Sequence, residues 1–505
     1  MVGPDYARPE VKVRDNWTQG SDPRVVTQTP PDCRWWQAFN DPTLDRLVQL
    51  AYEQNLPLQI AGLRILEARA RLGIAIGLQY PQIQQVFGSA TTVGISKNAA
   101  NANFLNRYYQ DYQFGFDAAW EMDFWGKFRH GVESESASLI SSVADYDSAL
   151  VSLTAEVART YAVIRTFEVL IELTNENVKI QEEGLHLAEA RFKNGATTEL
   201  DVTQARSLLE STRATIPDLQ TGLSQSQNAL STLLGQPPGD IQALLDESKG
   251  IPTAPAEVAV GVPAELLRRR PDIRAAEFAA VAQCARIGVA KADLYPAFSL
   301  LGQIGYETST GTQADFGNLF DAKSLFYSFG PAVRWPIFNY GRITNNVRVQ
   351  DALFQQLLVN YQNTVLSAAR EVEDSLTSLL NSQESTTYWR NSTDAAQRSA
   401  EIALVQYREG AVDYQRVIDT QRSLLEEDIS LTRSRSSIAT SFIALYKALG
   451  GGWELRDQPI VAESTQAEMQ KRTNWGGLLP AGAATEASNP PPPPLRIPVF
   501  QKPDW

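Results

Sequence analysis

The sequence is poor in the residues that build metal and redox centres. Its 505 residues include only two cysteines, Cys33 and Cys284, and two histidines, His130 and His186. A metal site made from these four would need segments far apart in sequence to converge. We therefore expect no metal site and no cofactor, with two unpaired core thiols and two imidazoles at the surface.

Long hydrophobic runs are missing as well. No stretch of about 18 consecutive apolar residues occurs, so the sequence predicts no transmembrane helix. The opening residues, Met1–Tyr6, lack the basic-then-apolar pattern of a signal peptide. This pattern is expected either of a cytosolic protein or of a mature chain.

Catalytic and phosphate-binding signatures are absent too. No Ser/His/Asp, Cys/His or phosphate-loop arrangement stands out, and a chain with 58 acidic residues brings some carboxylates together by chance. The net charge of −13 argues against nucleic acid as a main partner. We therefore predict that the protein is not an enzyme and does not bind nucleic acid.

What the sequence does contain is an internal duplication, in which short motifs recur at one constant offset. They include Tyr80-Pro81 and Tyr295-Pro296, Phe114-Gly115 and Phe329-Gly330, Trp120 and Trp335, and Gly195-Ala196 and Gly410-Ala411. Solenoid repeats run about 20–50 residues, so this much longer unit predicts two equivalent halves instead. We divide the chain into an N-terminal arm (1–43), repeat 1 (44–235), a linker (236–262), repeat 2 (263–453) and an extended proline-rich tail (454–505).

Each half has the same predicted order of elements. A helical pattern, Leu44 to Gly77 or Pro263 to Asp293, precedes two candidate strands, a very long helix, a glycine turn and a second long helix. In repeat 1 an apolar stripe with helical spacing runs from Leu139 to Ile171. A helix from about Lys127 to Asn194 would be about 100 Å long, and helices of that length usually pack as coiled coils.

The candidate strands alternate between apolar and polar residues, which is typical of a sheet with one wet face. The side predicted to face lipid carries Phe114, Phe116, Trp120, Tyr327, Phe329 and Trp335. The side predicted to face a lumen carries Asp117, Glu121 and Arg334. The pattern alone leaves a second interpretation open, a soluble sheet lying on a core, although aromatic outward faces also occur on lipid-facing strands.

Four strands per chain are too few to close a barrel, because even eight leave an interior just wide enough for side chains. An open sheet edge is excluded in lipid, where its backbone groups would be unpaired. If the strands are transmembrane, three chains must associate to close twelve of them. The expected fold is therefore mixed α+β: a trimeric β-barrel with four strands per protomer, continuous with a long α-helical barrel, with two structural repeats per chain.

Further motifs occur in a fixed order along most of the chain. They are Val2–Tyr6, Trp35-Trp36, Asp41-Pro42, Trp120–Gly126, Leu266–Ile273, Tyr407–Gly410 and Tyr446–Trp453. Together they resemble the outer-membrane efflux protein family, which is TolC-like, and within it the lipoprotein, drug-exporting branch that is OprM-like. In that branch a lipid-carrying cysteine, bearing for example palmitate, precedes the first motif. Met1 holds that place here, so any such anchor would sit on a cysteine not present in this chain.

The resemblance implies a passive exit duct for drugs or other small molecules in the bacterial outer membrane, extending into the periplasm. It implies a homotrimer surrounded by outer-membrane lipid. Its partners would be a periplasmic adaptor (membrane fusion) protein and an inner-membrane transporter of the resistance-nodulation-division type. The alternative is a soluble, elongated coiled-coil scaffold.

The same resemblance assigns roles to the helical turns and to the helix after the second turn. Adaptor contact is expected at two tips, Gly195-Ala196-Thr197 and Gly410-Ala411-Val412, although glycine turn chemistry alone also explains the glycines. Asp419 is expected to point into the lumen at a periplasmic gate, with Arg422 helping to hold the gate closed and Gln415 adding a polar ring. Ordinary solvated helix positions remain the alternative for these three residues.

Overall fold

The structure is a computed structural model. It describes residues 1–479 apart from positions 12, 27–33, 99, 101–105, 240, 246–247, 262, 264–268, 312–313, 454 and 456–458. Three features of the sequence lie outside these residues: Cys33, the prolines Pro490–Pro494 of the proline-rich tail, and Leu266–Arg268 at the start of the motif Leu266–Ile273.

Helices form most of the described chain. They are α1 (Pro42–Gln54), α2 (Leu56–Gly77), α3 (Lys127–Lys193), α4 (Glu199–Leu233), α5 (Gln242–Leu245), α6 (Pro271–Ala292), α7 (Arg342–Arg408), α8 (Tyr414–Ala448) and α9 (Glu463–Arg472). Three pairs match in length and share the offset of the repeated motifs: α2 and α6 have 22 residues, α3 and α7 have 67, and α4 and α8 have 35. Within the described residues, no helix combines the length and apolarity needed to cross a membrane.

The first long helix, α3, begins and ends within one residue of its predicted bounds. It starts after Gly126, whose φ of 85° is in the left-handed region that glycine tolerates best. The predicted apolar stripe is its buried face, with Leu150, Val157 and Tyr161 fully buried. Burying a large apolar side chain contributes about 1.5–3 kcal/mol, so this stripe fixes α3 at the centre of the main core.

The predicted helical stretch from Leu44 to Gly77 is in fact two helices that meet at Asn55. Pro57 lacks a backbone N–H and is tolerated only in a first helical turn, so it ends α1 and begins α2. The side chain of Asn55 accepts a hydrogen bond from the Leu58 N–H at 2.9 Å, which caps α2. The predicted helical pattern is thus present, and this proline divides it between two helices.

Two sheets accompany the helices in the part of the chain that the structure describes. A short parallel pair joins β1 (Val25–Val26) to β4 (Val258–Ala259). The larger sheet is antiparallel, with the order β2 (Ile83–Gly94), β3 (Tyr108–Met122), β5 (Ala297–Ser309) and β6 (Leu325–Arg334). Because β2 and β6 each pair on one side only in this sheet, both are open edges of the chain.

Trp335, predicted to lie in the last strand, lies just beyond it. The strand β6 ends at Arg334 because Pro336 has no N–H with which to continue the ladder. The indole Nε1 of Trp335 instead donates to the Leu294 carbonyl at 3.1 Å.

The tail predicted to be extended is helical in part. Residues Glu463–Arg472 form α9, and Val461, Met469 and Leu479 around it pack against Leu66 of α2. These apolar side chains give the segment a small core of its own, so the compositional prediction was wrong for 463–472.

His130 is buried rather than at the surface, whereas His186 is exposed as predicted. The Nδ1 atom of His130 lies 2.9 Å from Glu133 Oε2, and its ring packs against Gly288. Cys284 is a buried free thiol, as expected, and burial raises its pKa to about 11. Among the described residues, no three metal-ligating side chains come together.

Gly235, just after α4, offers a stability test against Gly195, just after α3. Both have positive φ, 68° and 70°, so alanine at either strains the backbone by about 1–2 kcal/mol. A Cβ at Gly235 would also overlap the Gln54 carbonyl oxygen, whereas one at Gly195 meets open space. We expect Gly235→Ala to lower the melting temperature, followed by circular dichroism at 222 nm, by clearly more than Gly195→Ala does. Equal shifts would contradict this packing.

Candidate functional site

One face of the large sheet is apolar across all four strands. Cross-strand partners share a face, and Phe116 pairs with Ile304, which pairs with Tyr327. Further members of this face are Val86, Phe114, Trp120, Leu300, Phe329 and Val333. The outermost side chains are strongly exposed, Tyr327 by 69% and Phe329 by 83%. A contiguous exposed apolar face of this kind marks contact with a membrane or with another protein.

The opposite face of the same sheet is polar. Asp117 pairs with Gln303, which pairs with Ser328, so one polar row crosses three strands. Gln85 on β2 extends this row, because its Nε2 donates to Asp117 Oδ2 at 3.0 Å. Glu121 and Arg334 are on this face as well. The structure thus separates the two predicted sets of side chains onto opposite faces, apart from Trp335 beyond the strand.

The sheet joins the helices through contacts that recur in both repeats. The Trp120 indole Nε1 donates to the Gln79 carbonyl at 3.1 Å, as the Trp335 indole does to the Leu294 carbonyl. On the polar side, Lys127 Nζ lies 2.9 Å from Asp293 Oδ1 and 3.7 Å from Glu121 Oε1. These contacts fix the first turn of α3 to the base of the sheet.

The turn between α3 and α4 packs against the turn between α7 and α8. Gly195 and Gly410 form the two turns with φ values of 70° and 78°. A separate apolar cluster holds the two hairpins together. Its buried members are Ala188, Val202, Ala205, Leu208, Tyr407, Tyr414, Val417 and Ile418. Burial raises the pKa of Tyr414 to about 12, so this phenol stays neutral at physiological pH.

Arg191 joins the two tips and was missed in the sequence. Its guanidinium donates to the Tyr407 carbonyl and, at 3.3 Å, to the Arg408 carbonyl, and it lies 4.7 Å from the centre of the Tyr407 ring. Basic residues favour helix C-termini, so the place of Arg191 in the last turn of α3 was a sequence signal that could have drawn attention to it. Nothing in the sequence indicated that its partners belong to the other hairpin.

Most of the predicted tip residues are exposed. Gly195, Ala196, Gly410 and Ala411 are at the surface, and Thr197 and Val412 are half-buried. Two large apolar side chains, Phe192 and Leu200, are also exposed beside the first turn, by 45% and 61%. The tips therefore present small and apolar side chains to their surroundings, beside exposed charged residues such as Lys193 and Glu409.

The predicted gate residues share one exposed face of α8, because positions four and seven apart lie close together around a helix. Within one chain Asp419 does not pair with Arg422 in the described residues. Gln415 Nε2 donates to Asp419 Oδ1 at 2.8 Å, and Arg422 makes no ion pair within the described part of the chain. Inside one chain the Asp419 carboxylate thus has an amide partner rather than a counter-charge.

A four-stranded sheet with one exposed apolar face and one polar face, standing on two hairpins of long helices, has the architecture of an outer-membrane channel subunit. The chain belongs to the outer membrane efflux protein family, whose model matches residues 47–236 and 262–451. The two matched segments are equal in length and have the same offset as the paired helices. The protein is an outer-membrane channel of a tripartite efflux system, which pairs it with an adaptor and an inner-membrane pump.

Several relatives match over most of their length. The pyoverdine export outer membrane protein OpmQ of Pseudomonas putida is 32% identical over 86% of this chain and 93% of its own. Nodulation protein T of Rhizobium leguminosarum bv. viciae is 30% identical over 94% of both chains. Among solved structures, the outer-membrane channel OprN is 29% identical and superimposes with a TM-score of 0.83 over 90% of this chain and 99% of that one.

Proposed function

We propose that three copies of the chain close into a twelve-stranded β-barrel continuous with a helical barrel, and that this trimer is a passive exit duct for drugs or other small molecules. One observation supports this proposal above all. In the described residues, the sheet and the layer of helices each end in elements without a further neighbour in that layer on their outer side, and the ends of the two layers correspond. The sheet ends at β2 and β6. Among the helices, α2 packs on α3, α3 packs on α6, and α6 packs on α7. The layer formed by these four helices therefore ends at α2 and α7. A neighbouring copy would close both layers at once.

The open helical edges carry the apolar surface that such a contact needs. On α7, Val349, Leu353, Val359 and Leu366 are exposed by 39–56%. On α2 and just after it, the exposed apolar side chains are Leu56, Ile60, Ile74 and Leu78. In a soluble monomer this surface would favour aggregation. Together with the family match and the aromatic sheet face, it favours the channel over a soluble coiled-coil scaffold.

In the trimer we assign the apolar sheet face to lipid and the polar face to the lumen. Phe114, Phe116, Trp120, Tyr327 and Phe329 would contact lipid, with Trp335 at the interface below them. Asp117, Glu121 and Arg334 would line the passage. In this arrangement the backbone N–H and C=O groups of every strand edge would be hydrogen-bonded. In lipid, an unpaired backbone group costs several kcal/mol.

The two tips then lie at the periplasmic end and would contact the adaptor, with Asp419 and its neighbours as the gate. The inner-membrane partner would be a transporter of the resistance-nodulation-division type. Relatives are named for pyoverdine, toluene and cations, which suggests that the wall does not select the cargo. Cargo choice would then belong mainly to the pump.

An N-terminal lipid anchor is compatible with this orientation, in which the sheet is in the membrane and the tips are at the periplasmic end. The Val2 N–H donates to the Trp125 carbonyl at 2.9 Å, which places the N-terminus at the base of the sheet. A relative that is 28% identical is named a probable outer membrane lipoprotein, SilC of Salmonella typhimurium. An acylated cysteine preceding this position would meet the membrane surface directly.

Leu366→Glu tests the trimer. If Leu366 lies between copies, a carboxylate there is buried without a partner at three equivalent contacts, and each such charge costs several kcal/mol. We expect light scattering in mild detergent to find the variant mostly dissociated. Leu366→Met keeps the side chain apolar and should stay trimeric. A wild type that is monomeric, or a glutamate variant as trimeric as wild type, would refute the proposed contact.

A further inference from the structure

A large cavity lies among the long helices, away from the sheet and from the two tips. It has a volume of about 890 Å³ and is bounded by α3, α7, α8 and the linker segment Gly250–Ala256. Part of its wall is apolar, with Val169, Ile251 and Ile438. Pockets for small organic ligands have volumes of about 300–1,000 Å³ and mostly apolar walls with a few polar groups. This cavity has that size and that mixture.

The charged groups of the cavity are mainly arginines. Arg24 is neutralised by Asp22, since its Nε and Nη2 atoms lie 2.9 and 2.7 Å from the two carboxylate oxygens. Arg390 and Arg435 form no ion pair within the described residues. Glu384 is the acidic residue of the wall, and it accepts a hydrogen bond from the Tyr388 hydroxyl at 3.3 Å. The cavity therefore has an excess of positive charge in a chain whose net charge is −13.

The fold does not require these two arginines. At the equivalent positions of the first repeat, the chain has Asn175 in place of Arg390 and Gln220 in place of Arg435. The same pairs of helices thus pack there with neutral amides. The arginine pair is a property of this one cavity rather than of the repeated architecture.

The cavity and the predicted gate residues are on opposite sides of α8. Arg435 follows Asp419 on α8 by about four and a half turns, which puts the two side chains about 160° apart around the helix. A molecule in the cavity would therefore lie on the opposite side of the helical wall from the gate residues.

We propose that this cavity binds an amphipathic organic anion, with one carboxylate or phosphate head on an apolar body. The N–H donors of Arg390 and Arg435 bind the head, since planar guanidinium forms bidentate pairs with carboxylate and with phosphate oxygens. The body covers Val169, Ile251 and Ile438. A lipid-derived acyl anion and an aromatic acid share this chemistry.

Equilibrium dialysis of the full chain in nanodiscs tests the proposal, with empty nanodiscs as the blank. The probes are decanoate and 2-naphthoate, with decanol and 2-naphthylmethanol as their uncharged counterparts. We expect saturable binding of at least one acid and weaker binding of its alcohol. Arg435→Gln, and likewise Arg390→Gln, should weaken acid binding about tenfold to a hundredfold. Arg433→Gln, two positions away on the same helix and outside the cavity, should change it less than about twofold.

The outcome also identifies the source of the ligand. Tighter binding of decanoate indicates a lipid-derived anion, and tighter binding of 2-naphthoate indicates an aromatic acid. The proposal is wrong if neither acid binds saturably, if the alcohols bind as tightly as the acids, or if Arg435→Gln and Arg433→Gln behave alike. It is also wrong if the two cavity variants change the particle mass in light scattering, because the arginines would then serve a contact between copies.

Discussion

Phe329→Arg is expected to reduce the amount of assembled channel strongly, whereas Ser328→Arg, one residue earlier on the same strand, should assemble almost like wild type. Phe329 is on the apolar sheet face and Ser328 is on the polar face with Gln303 and Asp117. Arginine at a lipid-facing barrel position near the membrane midplane costs about 2–4 kcal/mol. Each such cost is incurred three times in a trimer. A side chain on the lumen face remains in water and incurs little of this cost.

The measurement is the fraction of each variant that reaches the outer membrane as folded trimer, from semi-native electrophoresis of membrane fractions. Phe116→Arg and Asp117→Arg form a second matched pair on β3 and should behave like the first pair. If all four variants assemble equally, the assignment of lipid and lumen faces is wrong. If the two polar-face variants fail and the aromatic-face variants assemble, the assignment is inverted.

Arg422→Glu is expected to open the periplasmic end. In the proposed trimer three Asp419 carboxylates surround the axis, and two unit charges about 8 Å apart repel by about 2 kcal/mol at an effective dielectric constant of about 20. Gln415 is the partner of Asp419 within one chain, so Arg422 is left to balance the ring across copies. Exchanging it for glutamate replaces attraction by repulsion. The closed state should lose about 2 kcal/mol or more, and the ratio of open to closed channels should rise about thirtyfold or more.

Single-channel recording in planar bilayers measures this effect. Wild type should conduct poorly and Arg422→Glu should conduct more often, whereas Arg433→Glu, about three turns further along α8, should resemble wild type. Divalent cations should block wild type more strongly than Asp419→Ala, because the carboxylates bind them. If neither conductance nor divalent block changes, Asp419 and Arg422 are ordinary solvated helix positions.

The duplication made much of the fold predictable from sequence. Helix periodicity is strong when it extends over 67 residues, so α3 was predicted within a residue at both ends and its counterpart α7 followed from the repeat. Strand alternation likewise put Phe116 and Asp117 on opposite faces. Details that the pattern did not give lie where one proline changes the local structure, as at Pro57 and Pro336. Composition also misled in the tail, where Met469 and its apolar neighbours support a helix.

The site was less predictable because its contacts join residues far apart in sequence. The Arg191 guanidinium reaches the Tyr407 carbonyl across 216 positions, and no periodicity within one helix indicates such a partner. The strand order β2-β3-β5-β6, which leaves two open edges, follows from long-range pairing of β3 with β5. The hydrogen bond from Gln415 to Asp419 was likewise not predicted, because helical spacing places several polar residues near Asp419 and does not select among them.

A single-particle reconstruction of the detergent-solubilised protein tests the central claim most directly. It should show threefold symmetry, twelve strands around one barrel, and a continuous helical barrel about 100 Å long formed by α3, α7 and their partner helices. The apolar sheet face should be covered by detergent and the polar face should surround the passage. A particle containing one chain, with its four-stranded sheet packed against its own helices and no passage, would contradict the account.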